Sequence, residues 1–429
     1  ISLLNGAYKV FSNILYSRLL PYAEANIGEY QSGFRIGKST VDAIFTMRQI
    51  LEKTFEYNVD TYYIFIDFKA AYDSVQKAGL FTALNYFRVP AKLIRMISAT
   101  IINATCSVKV MGQTSSSFQP EQGLKQGDAL SCLLFNMVLE YAVRKANVQT
   151  TGTIFNKSTQ LIAYADDIAI VSRSLPAAEE SFTAIEKEAL AMGLIINRSK
   201  TKAMVVSGRQ ETRSRVGQYL NIGNENIEVV DSFNYLGSTI TNGDDTSAEI
   251  SKRIMLANRA LFKNAKAMSS KILSWTSKVI IYKTLIRSVL CYGCETWRLS
   301  KSDENRLAVF ERRVLRRIFG GVCEDGVWRR RYNFELNQLY NNTPIVVFIK
   351  SRRLEWAGHV ARMPQESTVK RVLSAAPTGI RRKGRPRLRW RDNVDQDAYE
   401  LGVHDWKAAA VNRDYWRRTV EEARTRSGL

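Results

Sequence analysis

Residues 161–171, LIAYADDIAIV, place two adjacent carboxylates, Asp166 and Asp167, between two apolar runs. The apolar residues on both sides predict two paired, half-buried strands with the acidic pair at or near the turn. Desolvation and mutual repulsion both oppose the ionisation of carboxylates in such surroundings. A bound divalent cation relieves both penalties, so metal-assisted chemistry is the first hypothesis. The alternative is a surface hairpin with a solvated acidic turn, because short motifs often occur by chance.

A second acidic position strengthens the metal hypothesis. Residues 62–66, YYIFI, are strand-like in composition and end at Asp67, and Asp73 follows within the same segment. The Asp67 carboxylate can converge with those of the hairpin if the two strands are neighbours in one sheet. Two Mg²⁺ ions about 3.5–4 Å apart could then clamp the attacking and leaving oxygens of an in-line phosphoryl displacement. Mg²⁺ suits such a site because it takes one or two protein carboxylates and completes its shell with water and substrate phosphates.

Seven sequence blocks, in order along the chain, carry a family resemblance. They are ISLLNGAYKVFSNILYSRLL at 1–20, YQSGFRIGKSTVDAI at 30–44, YIFIDFKAAYDSV at 63–75, GLKQGDALSCLLFNMVLE at 123–140, AYADDIAIV at 163–171, GLIINRSKTKAM at 193–204 and FNYLGSTIT at 233–241. Together they resemble the reverse transcriptase of a non-LTR (LINE-type) retrotransposon. The resemblance implies an α+β right-hand polymerase of fingers, palm and thumb, which copies RNA into DNA by adding deoxynucleotides to a primer 3′-hydroxyl.

The resemblance also implies roles for individual residues. The catalytic metal ligands would be Asp67, Asp166 and Asp167, and Lys200 or Lys202 would protonate the leaving pyrophosphate. Tyr72 would lie beneath the sugar and exclude a 2′-hydroxyl, with a core aromatic as the alternative, whereas Asp73 is assigned to structure. The predicted nucleotide-binding residues are Arg35, Lys38, Phe68, Tyr72, Gln126 and Gly127. The predicted primer-binding residues are Tyr164, Phe233, Tyr235, Leu236 and Gly237.

Charge is distributed unevenly along the 429 residues. Residues 1–250 hold 24 basic and 24 acidic side chains, whereas residues 251–429 hold 38 and 17, so the whole net charge of +21 lies in the C-terminal part. This asymmetry indicates a polyanionic partner, here nucleic acid, with a merely soluble basic surface as the alternative. The residues predicted to bind nucleic acid are Lys252, Arg259, Lys263, Lys266, Arg381, Arg382, Lys383, Arg385, Arg387 and Arg389. The tripeptide GRP at 384–386 also resembles an AT-hook core, but a solvated basic loop that contacts phosphates nonspecifically, or a nuclear-import signal, is the favoured explanation.

Hydrophobic periodicity and the positions of glycine and other turn residues divide the chain into four predicted regions. We predict fingers over residues 1–60, a palm with interleaved fingers elements and the primer grip over 61–248, a thumb over 249–300, and a basic, mostly helical nucleic-acid-binding region over 301–429. Within the palm, helices are expected at 128–146 and 177–192. The thumb helix carries an apolar stripe from Ile250 to Met268. The segment RRLEWAGHVARM at 352–363 resembles the C-terminal region of RTE-like or related elements.

Cysteine and hydropathy patterns exclude other classes of protein. The five cysteines, at 106, 132, 291, 294 and 323, do not follow common zinc-finger or knuckle spacings, so we predict no zinc site. No run approaches the 18 or more apolar residues of a membrane span, so no membrane association is expected.

The expected cofactors are two Mg²⁺ ions, with Mn²⁺ as a substitute. The expected partners are an RNA template, a DNA primer or target and deoxynucleoside triphosphates, inside the cell, in the nucleus or in a cytoplasmic ribonucleoprotein. The chain would be a fragment without the N-terminal endonuclease of its relatives. Two alternatives stay open at this stage: a catalytically idle, host-retained nucleic-acid-binding protein, and a reverse transcriptase resembling a group II intron maturase.

Overall fold

The computed structural model describes residues 2–102, 104–209, 212, 216–222, 225–381, 384 and 387–425. The chain forms two compact units, of which the first comprises residues 1–236 and 366–381 and the second comprises 237–365 and 382–429. This division follows contacts rather than sequence order. The predicted boundaries at 60, 248 and 300 concern a finer division and stay predictions.

Helices and short strands make up both units. In chain order, the helices are α1 (Gly6–Asn26), α2 (Thr40–Glu56), α3 (Ala71–Ser74), α4 (Lys77–Tyr86), α5 (Ala91–Ile101), α6 (Ala129–Lys145), α7 (Leu175–Ala191), α8 (Thr246–Lys263), α9 (Ala265–Ser269), α10 (Trp275–Ile281), α11 (Arg287–Leu290), α12 (Lys301–Phe319), α13 (Asn333–Tyr340), α14 (Ile345–Arg362), α15 (Thr368–Ser374), α16 (Trp390–Glu400), α17 (Trp406–Val411) and α18 (Arg413–Thr425). A π-helical turn (Tyr282–Ile286) lies between α10 and α11, and a 3₁₀ turn (Cys294–Thr296) follows α11. The strands are β1 (Thr61–Ile66), β2 (Lys109–Val110), β3 (Gln113–Thr114), β4 (Thr159–Tyr164), β5 (Asp167–Ser172), β6 (Lys202–Val206), β7 (Tyr219–Ile222), β8 (Glu225–Glu228), β9 (Ser232–Tyr235), β10 (Ser238–Thr241), β11 (Val322–Glu324) and β12 (Val327–Arg329).

A four-stranded antiparallel sheet, in the order β4-β5-β1-β6, lies at the centre of the first unit. The predicted hairpin is confirmed, but its strands are buried rather than half-buried: in β4 and β5 every residue except Tyr164 and Asp167 is buried. In the register, Ile66 of β1 is opposite Ile168 of β5. The end of β1, and therefore Asp67, lies beside the start of β5.

Helix α7 packs on this sheet and helix α6 packs on α7, and both helices were predicted to within two residues. Helix α6 begins at residue 129 because the Asp128 side chain accepts a hydrogen bond from the Leu130 N–H, and it ends with Arg144 and Lys145 in its last turn. Helix α7 begins two residues before the predicted start because Ser174 caps it and Pro176 occupies its first turn. Both helices bury apolar faces in one core with the strands.

A segment late in the sequence, residues 366–381, belongs to the first unit. Its helix α15 packs on α2. The Lys53 ammonium of α2 donates hydrogen bonds to the carbonyls of Val372 (2.6 Å), Leu373 (2.7 Å) and Ala375 at the C-terminal end of α15, where the helix dipole favours a cation. We call residues 366–381 the returning segment.

The second unit has its own helical core around Tyr282, Trp297 and Phe310. The predicted apolar stripe of the thumb helix is buried there, although Asn264 divides the helix into α8 and α9. The fully buried guanidinium of Arg353 pairs with Asp397. None of the helices in the described residues is both long and apolar enough to cross a membrane.

Candidate active site

The hairpin between β4 and β5 closes with the two-residue turn Ala165-Asp166, because Tyr164 pairs directly with Asp167. Ala165 has a φ of +54°, a left-handed conformation that is unfavourable for a residue with a Cβ atom. The Gln31 side chain holds this residue in place. Its Oε1 accepts from the Ala165 N–H at 2.7 Å, and its Nε2 donates to the Ala165 carbonyl at 3.1 Å. The turn that carries Asp166 is therefore fixed from outside the hairpin.

Gly33 packs directly against the same turn. A Cβ atom at this position would lie 2.2 Å from the Ala165 nitrogen and 2.9 Å from the Tyr164 carbonyl carbon, so only glycine fits. The buried Asn136 amide of α6 donates to the Gly33 carbonyl at 2.8 Å, and the Gly33 N–H donates to Gln31 Oε1 at 2.8 Å. The sequence prediction missed this positioning role of Gln31, Gly33 and Asn136. The block YQSGF contains two of them, but nothing in its spacing indicates what they contact.

The predicted acidic residues come together at this end of the sheet. Burial raises the pKa of Asp167 to about 6, and the nearby carboxylates of Asp166 and Asp67 contribute to this rise. Burial also raises the pKa of Asp166, its own backbone N–H opposes that shift, and the charge of Asp67 adds to it. The three carboxylates are therefore close enough to repel one another. Such repulsion favours either protonation or a bound cation.

The donor set fits a hard divalent cation. The Asp67 Oδ2 atom is buried and accepts no hydrogen bond from the residues that the structure describes, and Lys200 Nζ lies 3.9 Å from it. Across those described positions, no group of three His, Cys, Asp or Glu side chains is gathered tightly enough to hold a metal ion by itself. This arrangement suits an ion such as Mg²⁺, which needs one or two protein carboxylates and brings water and substrate phosphates as its other ligands.

Two lysines lie on the segment that follows α7. Lys200 is largely exposed beside Asp67, which leaves its ammonium accessible to a substrate. Lys202, the other predicted acid, instead forms an ion pair with Glu228 at 2.6 Å. Of the two lysines, Lys200 has the better position for the predicted role.

The residues predicted to bind the nucleotide differ in their exposure and contacts. Tyr72 stacks on Phe135 with ring centroids 4.6 Å apart, and burial, together with Cys132 and Asp166, raises the pKa of its hydroxyl, which stays neutral. Phe68 is buried. Gln126 and Gly127 are exposed, and Gly127 has a φ of +104°.

The two basic residues of the same prediction contact protein groups. The buried Arg35 guanidinium pairs with Glu24 at 2.7 Å and donates to the Gly28 carbonyl at 2.8 Å. Lys38 pairs with Glu29 at 2.9 Å, and burial and the neighbouring Arg35 lower its pKa. Arg35 would have to break a buried ion pair to reach a triphosphate, so its predicted contact with the nucleotide stays a prediction.

The predicted primer-binding residues lie at the end of β4, in β9 and directly after β9 in the sequence. Phe233 stacks on Phe65 with centroids 4.2 Å apart. The buried Tyr235 hydroxyl donates to the Ile162 carbonyl at 3.4 Å, and burial and the charge of Asp167 raise its pKa. Tyr164 lies against the Phe34 ring. Leu236 ends the first part of the first unit, and Gly237 begins the second unit. Their contacts with a primer stay predictions.

Some of the basic side chains predicted to bind nucleic acid form hydrogen bonds or ion pairs within the protein. Lys252 donates to Thr239 Oγ1, Arg381 pairs with Glu56, Arg387 donates to the Gly243 carbonyl and Arg389 pairs with Asp392. The exposed members are Arg259, Lys263 and Lys266. The remaining three, Arg382, Lys383 and Arg385, lie outside the described residues.

Comparisons with known proteins show which family this chain resembles. Residues 1–240 match the reverse transcriptase (RNA-dependent DNA polymerase) family. A transposon-derived protein of Caenorhabditis elegans is 25% identical over 272 residues, which cover 62% of this chain and 96% of that protein. The retrovirus-related Pol polyprotein of the type-1 retrotransposable element R2 of Popillia japonica is 25% identical over 283 residues, 64% of this chain and 44% of the polyprotein. This chain therefore spans less than half the length of that polyprotein.

Among solved structures, the apo telomerase of Candida tropicalis gives a TM-score of 0.44 at 14% identity, covering 97% of this chain and 60% of the telomerase chain.

The family match covers more than half of the chain and includes every carboxylate of the candidate site. The chain belongs to the reverse transcriptase (RNA-dependent DNA polymerase) family, and its relatives include Pol polyproteins of non-LTR retrotransposable elements.

Proposed function

We propose that this chain is the RNA-directed DNA polymerase of a non-LTR retrotransposon. In this reaction a primer 3′-hydroxyl attacks the α-phosphate of a deoxynucleoside triphosphate opposite an RNA template, and pyrophosphate leaves. The observation that carries the proposal is the meeting of Asp67, at the end of β1, with Asp166 and Asp167, at the hairpin of the adjacent strand β5. The family match gives this acidic cluster its chemical meaning.

Reverse transcriptases use divalent metal ions, and we assign two Mg²⁺ ions to this site, with Mn²⁺ as a substitute. Asp67 and Asp166 would hold them, and Asp167 would ligate more weakly. When bound, the ions would neutralise charge on the reacting phosphate oxygens. The Asp67 Oδ2 atom, which is buried and accepts no hydrogen bond from the described residues, supports this assignment. The raised pKa values of Asp166 and Asp167 support it too, because a cation would relieve both conditions.

The side chains around the acidic cluster have separate tasks in this proposal. Lys200, exposed beside Asp67, would donate a proton to the leaving pyrophosphate. Tyr72, held by its stack on Phe135, would exclude a 2′-hydroxyl from the sugar position. Gln31 and Gly33 would not touch substrate but would keep the Asp166 turn in place.

Primer extension tests the proposal. An oligo(dT) primer on a poly(rA) template, with Mg²⁺ and dTTP, should be extended by the wild-type chain. The Asp166→Asn variant should lose about 100-fold or more of this activity, because it removes a charge that acts on the reacting groups. The matched control is Asp73→Asn, which removes a carboxylate from the same sequence block as Asp67 but outside the cluster and should retain activity.

Two outcomes would contradict the proposal. Absence of extension by the wild type, with nucleic acid still bound, would favour a catalytically idle binding protein. Equal extension by the wild type and the Asp166→Asn variant would remove the acidic cluster from the chemistry. The DNA primer, the chromosomal target and a nuclear location are also proposals, because the chain spans only part of the retrotransposon polyproteins it resembles.

A further inference from the structure

Three exposed aromatic side chains follow one another closely along the chain in the second unit, and none of them is assigned a role above. Trp328 is 74% exposed, Tyr332 is 58% exposed and Phe334 is 62% exposed. They occupy strand β12 and the start of helix α13. The rings of Tyr332 and Phe334 are nearly parallel, with an interplanar angle of 11°. Large aromatic rings grouped on a surface indicate a binding site more often than chance exposure does.

The segment that carries these rings is held in one conformation. Strands β11 and β12 are joined by the two-residue turn Asp325-Gly326, in which both residues have positive φ, as a tight hairpin requires. Arg329 pairs with Glu324 and with Glu335 (2.8 Å), and it packs on the Tyr332 ring. The aromatic rings therefore project from a preorganised support, which lowers the entropy lost on binding.

Several arginines lie near the start of helix α13. Partial burial lowers the pKa of Arg316, and the neighbouring charges of Arg330 and Arg312 lower it further. Arg316 also donates to Asn333 Oδ1 at 2.8 Å, which brings helix α12 to the start of α13. Within the described part of the chain, Arg312, Arg330 and Arg331 form no direct ion pair, although the charge of Arg312 acts on Glu311 and that of Arg331 acts on Glu335. Residues 312–335 carry seven arginines against three acidic residues.

Mutually repelling arginines beside exposed aromatic rings suit a ligand that has both phosphates and accessible bases. Single-stranded nucleic acid has both, whereas a duplex covers its base faces by stacking. We propose that Trp328, Tyr332 and Phe334, with Arg312, Arg330 and Arg331, form a binding site for single-stranded RNA; we call it the α12–hairpin site. The choice of RNA rests on the proposed function, because an RNA template is single-stranded until it is copied.

Fluorescence anisotropy with a labelled single-stranded RNA of mixed sequence tests the site in the full chain. Trp328→Ala and Phe334→Ala should each weaken binding about 5- to 150-fold, because stacking on one base contributes about 1–3 kcal/mol. These changes should leave the dependence of binding on salt unaltered. The double variant Arg330→Gln/Arg331→Gln should instead lower the slope of log K against log salt by about 0.7 for each phosphate that the protein no longer neutralises.

Matched controls separate a local site from general surface effects. Tyr399→Ala removes an aromatic ring of similar exposure on α16, and Arg417→Gln/Arg418→Gln removes two exposed charges on α18. Both controls should bind RNA more tightly than the corresponding site variants. All replaced side chains are exposed or partly exposed, so the midpoint of thermal unfolding should not change.

A measurement on the unmodified protein gives an independent test. Cys323 is exposed and is directly opposite Trp328 in the hairpin register. Single-stranded RNA at saturation should slow the alkylation of the Cys323 thiol, as followed by mass spectrometry. Unchanged alkylation, or unchanged affinity of the aromatic variants, would overturn the proposal.

The nucleic-acid competitors decide what the site recognises. Duplex RNA should compete poorly, and equal competition by a duplex would overturn the stacking argument. Single-stranded DNA that binds more tightly than RNA of the same sequence would overturn the assignment to RNA. Primer extension by the wild type is measured alongside, so that a failure of the polymerase proposal is seen separately from a failure of the α12–hairpin site.

Discussion

Replacing Gly33 with alanine tests whether the packing of Gly33 on the turn sets the position of Asp166. A Cβ atom at residue 33 would lie 2.2 Å from the Ala165 nitrogen, whereas ordinary contact begins at 3.4 Å. The two backbones would therefore have to separate by about 1.2 Å, which is the difference between these distances. The neighbouring atoms are backbone rather than side chain, so the displacement would fall on the turn itself.

The cost of this displacement follows from the bonds it breaks. A shift of that size would stretch the Gln31 bonds to Ala165, now 2.7 and 3.1 Å, beyond hydrogen-bonding distance. Overpacking and the loss of buried hydrogen bonds should together lower the free energy of unfolding by about 2–4 kcal/mol. A misplacement of about 1 Å at a catalytic group can lower a rate about 100-fold, so we expect a fall of that size in kcat for primer extension.

Single-nucleotide extension kinetics separate the rate from the binding of template and primer. The Gly33→Ala variant should lose kcat while the Kd for the template–primer duplex stays close to that of the wild type. Gly6→Ala is the matched control, because a Cβ atom at that helix terminus would meet no atom within 4 Å. If a folded Gly33→Ala protein kept the kcat of the wild type, the packing of residue 33 on the turn could not be what positions Asp166.

Three further perturbations follow from the structure. Tyr72→Val should increase ribonucleotide incorporation, because a smaller side chain leaves room for a 2′-hydroxyl; unchanged discrimination between dNTPs and rNTPs would remove this role. Burial and the nearby Arg371 lower the pKa of Lys157 from 10.5 to about 8. Between pH 8 and pH 10.5 the folded chain therefore binds fewer protons than the unfolded chain. The free energy of unfolding should rise with pH across that interval. Lys157→Met should abolish this rise and stabilise the chain by about 1–2 kcal/mol at pH 7. Denaturation curves measured across this pH range would contradict the prediction if the variant and the wild type showed the same dependence on pH. Lys53→Met should destabilise the first unit by about 2 kcal/mol and expose the returning segment to limited proteolysis, because three carbonyls of that segment lose their cationic donor.

Helices and strands that are encoded by patterns of neighbouring residues could be predicted from the sequence. The apolar runs on both sides of Asp166 and Asp167 predicted a hairpin of two paired strands, and the structure confirms it. Helix α6 was found to within one residue because its cap and its basic last turn are both visible in the sequence. The pairing of β1 with β5 was only a condition of the metal hypothesis, since strand order depends on contacts between distant residues.

Other features depend on tertiary packing that no local pattern encodes. The sequence shows Arg35 as a free cation, but the fold pairs it with Glu24 and buries it. A contiguous division of the sequence could not anticipate that residues 366–381 join the first unit. Gln31 looks like an ordinary polar loop residue, although its amide satisfies both backbone hydrogen-bonding groups of Ala165.

The acidic turn departs from local rules in two ways, and the two departures are relieved differently. The left-handed Ala165 costs about 1–2 kcal/mol, which the buried bonds from Gln31 offset within the protein itself. The repulsion between Asp67, Asp166 and Asp167 is only partly relieved within the described residues, by the backbone N–H of Asp166 and by Lys200 at 3.9 Å from Asp67, and the pKa values of Asp166 and Asp167 stay raised. A hairpin selected for stability alone would have an Asn-Gly turn and no adjacent acids. The fold therefore uses its own hydrogen bonds to fix the geometry of the turn and leaves the charge to be balanced by what binds there, as expected of a site that acts on phosphates.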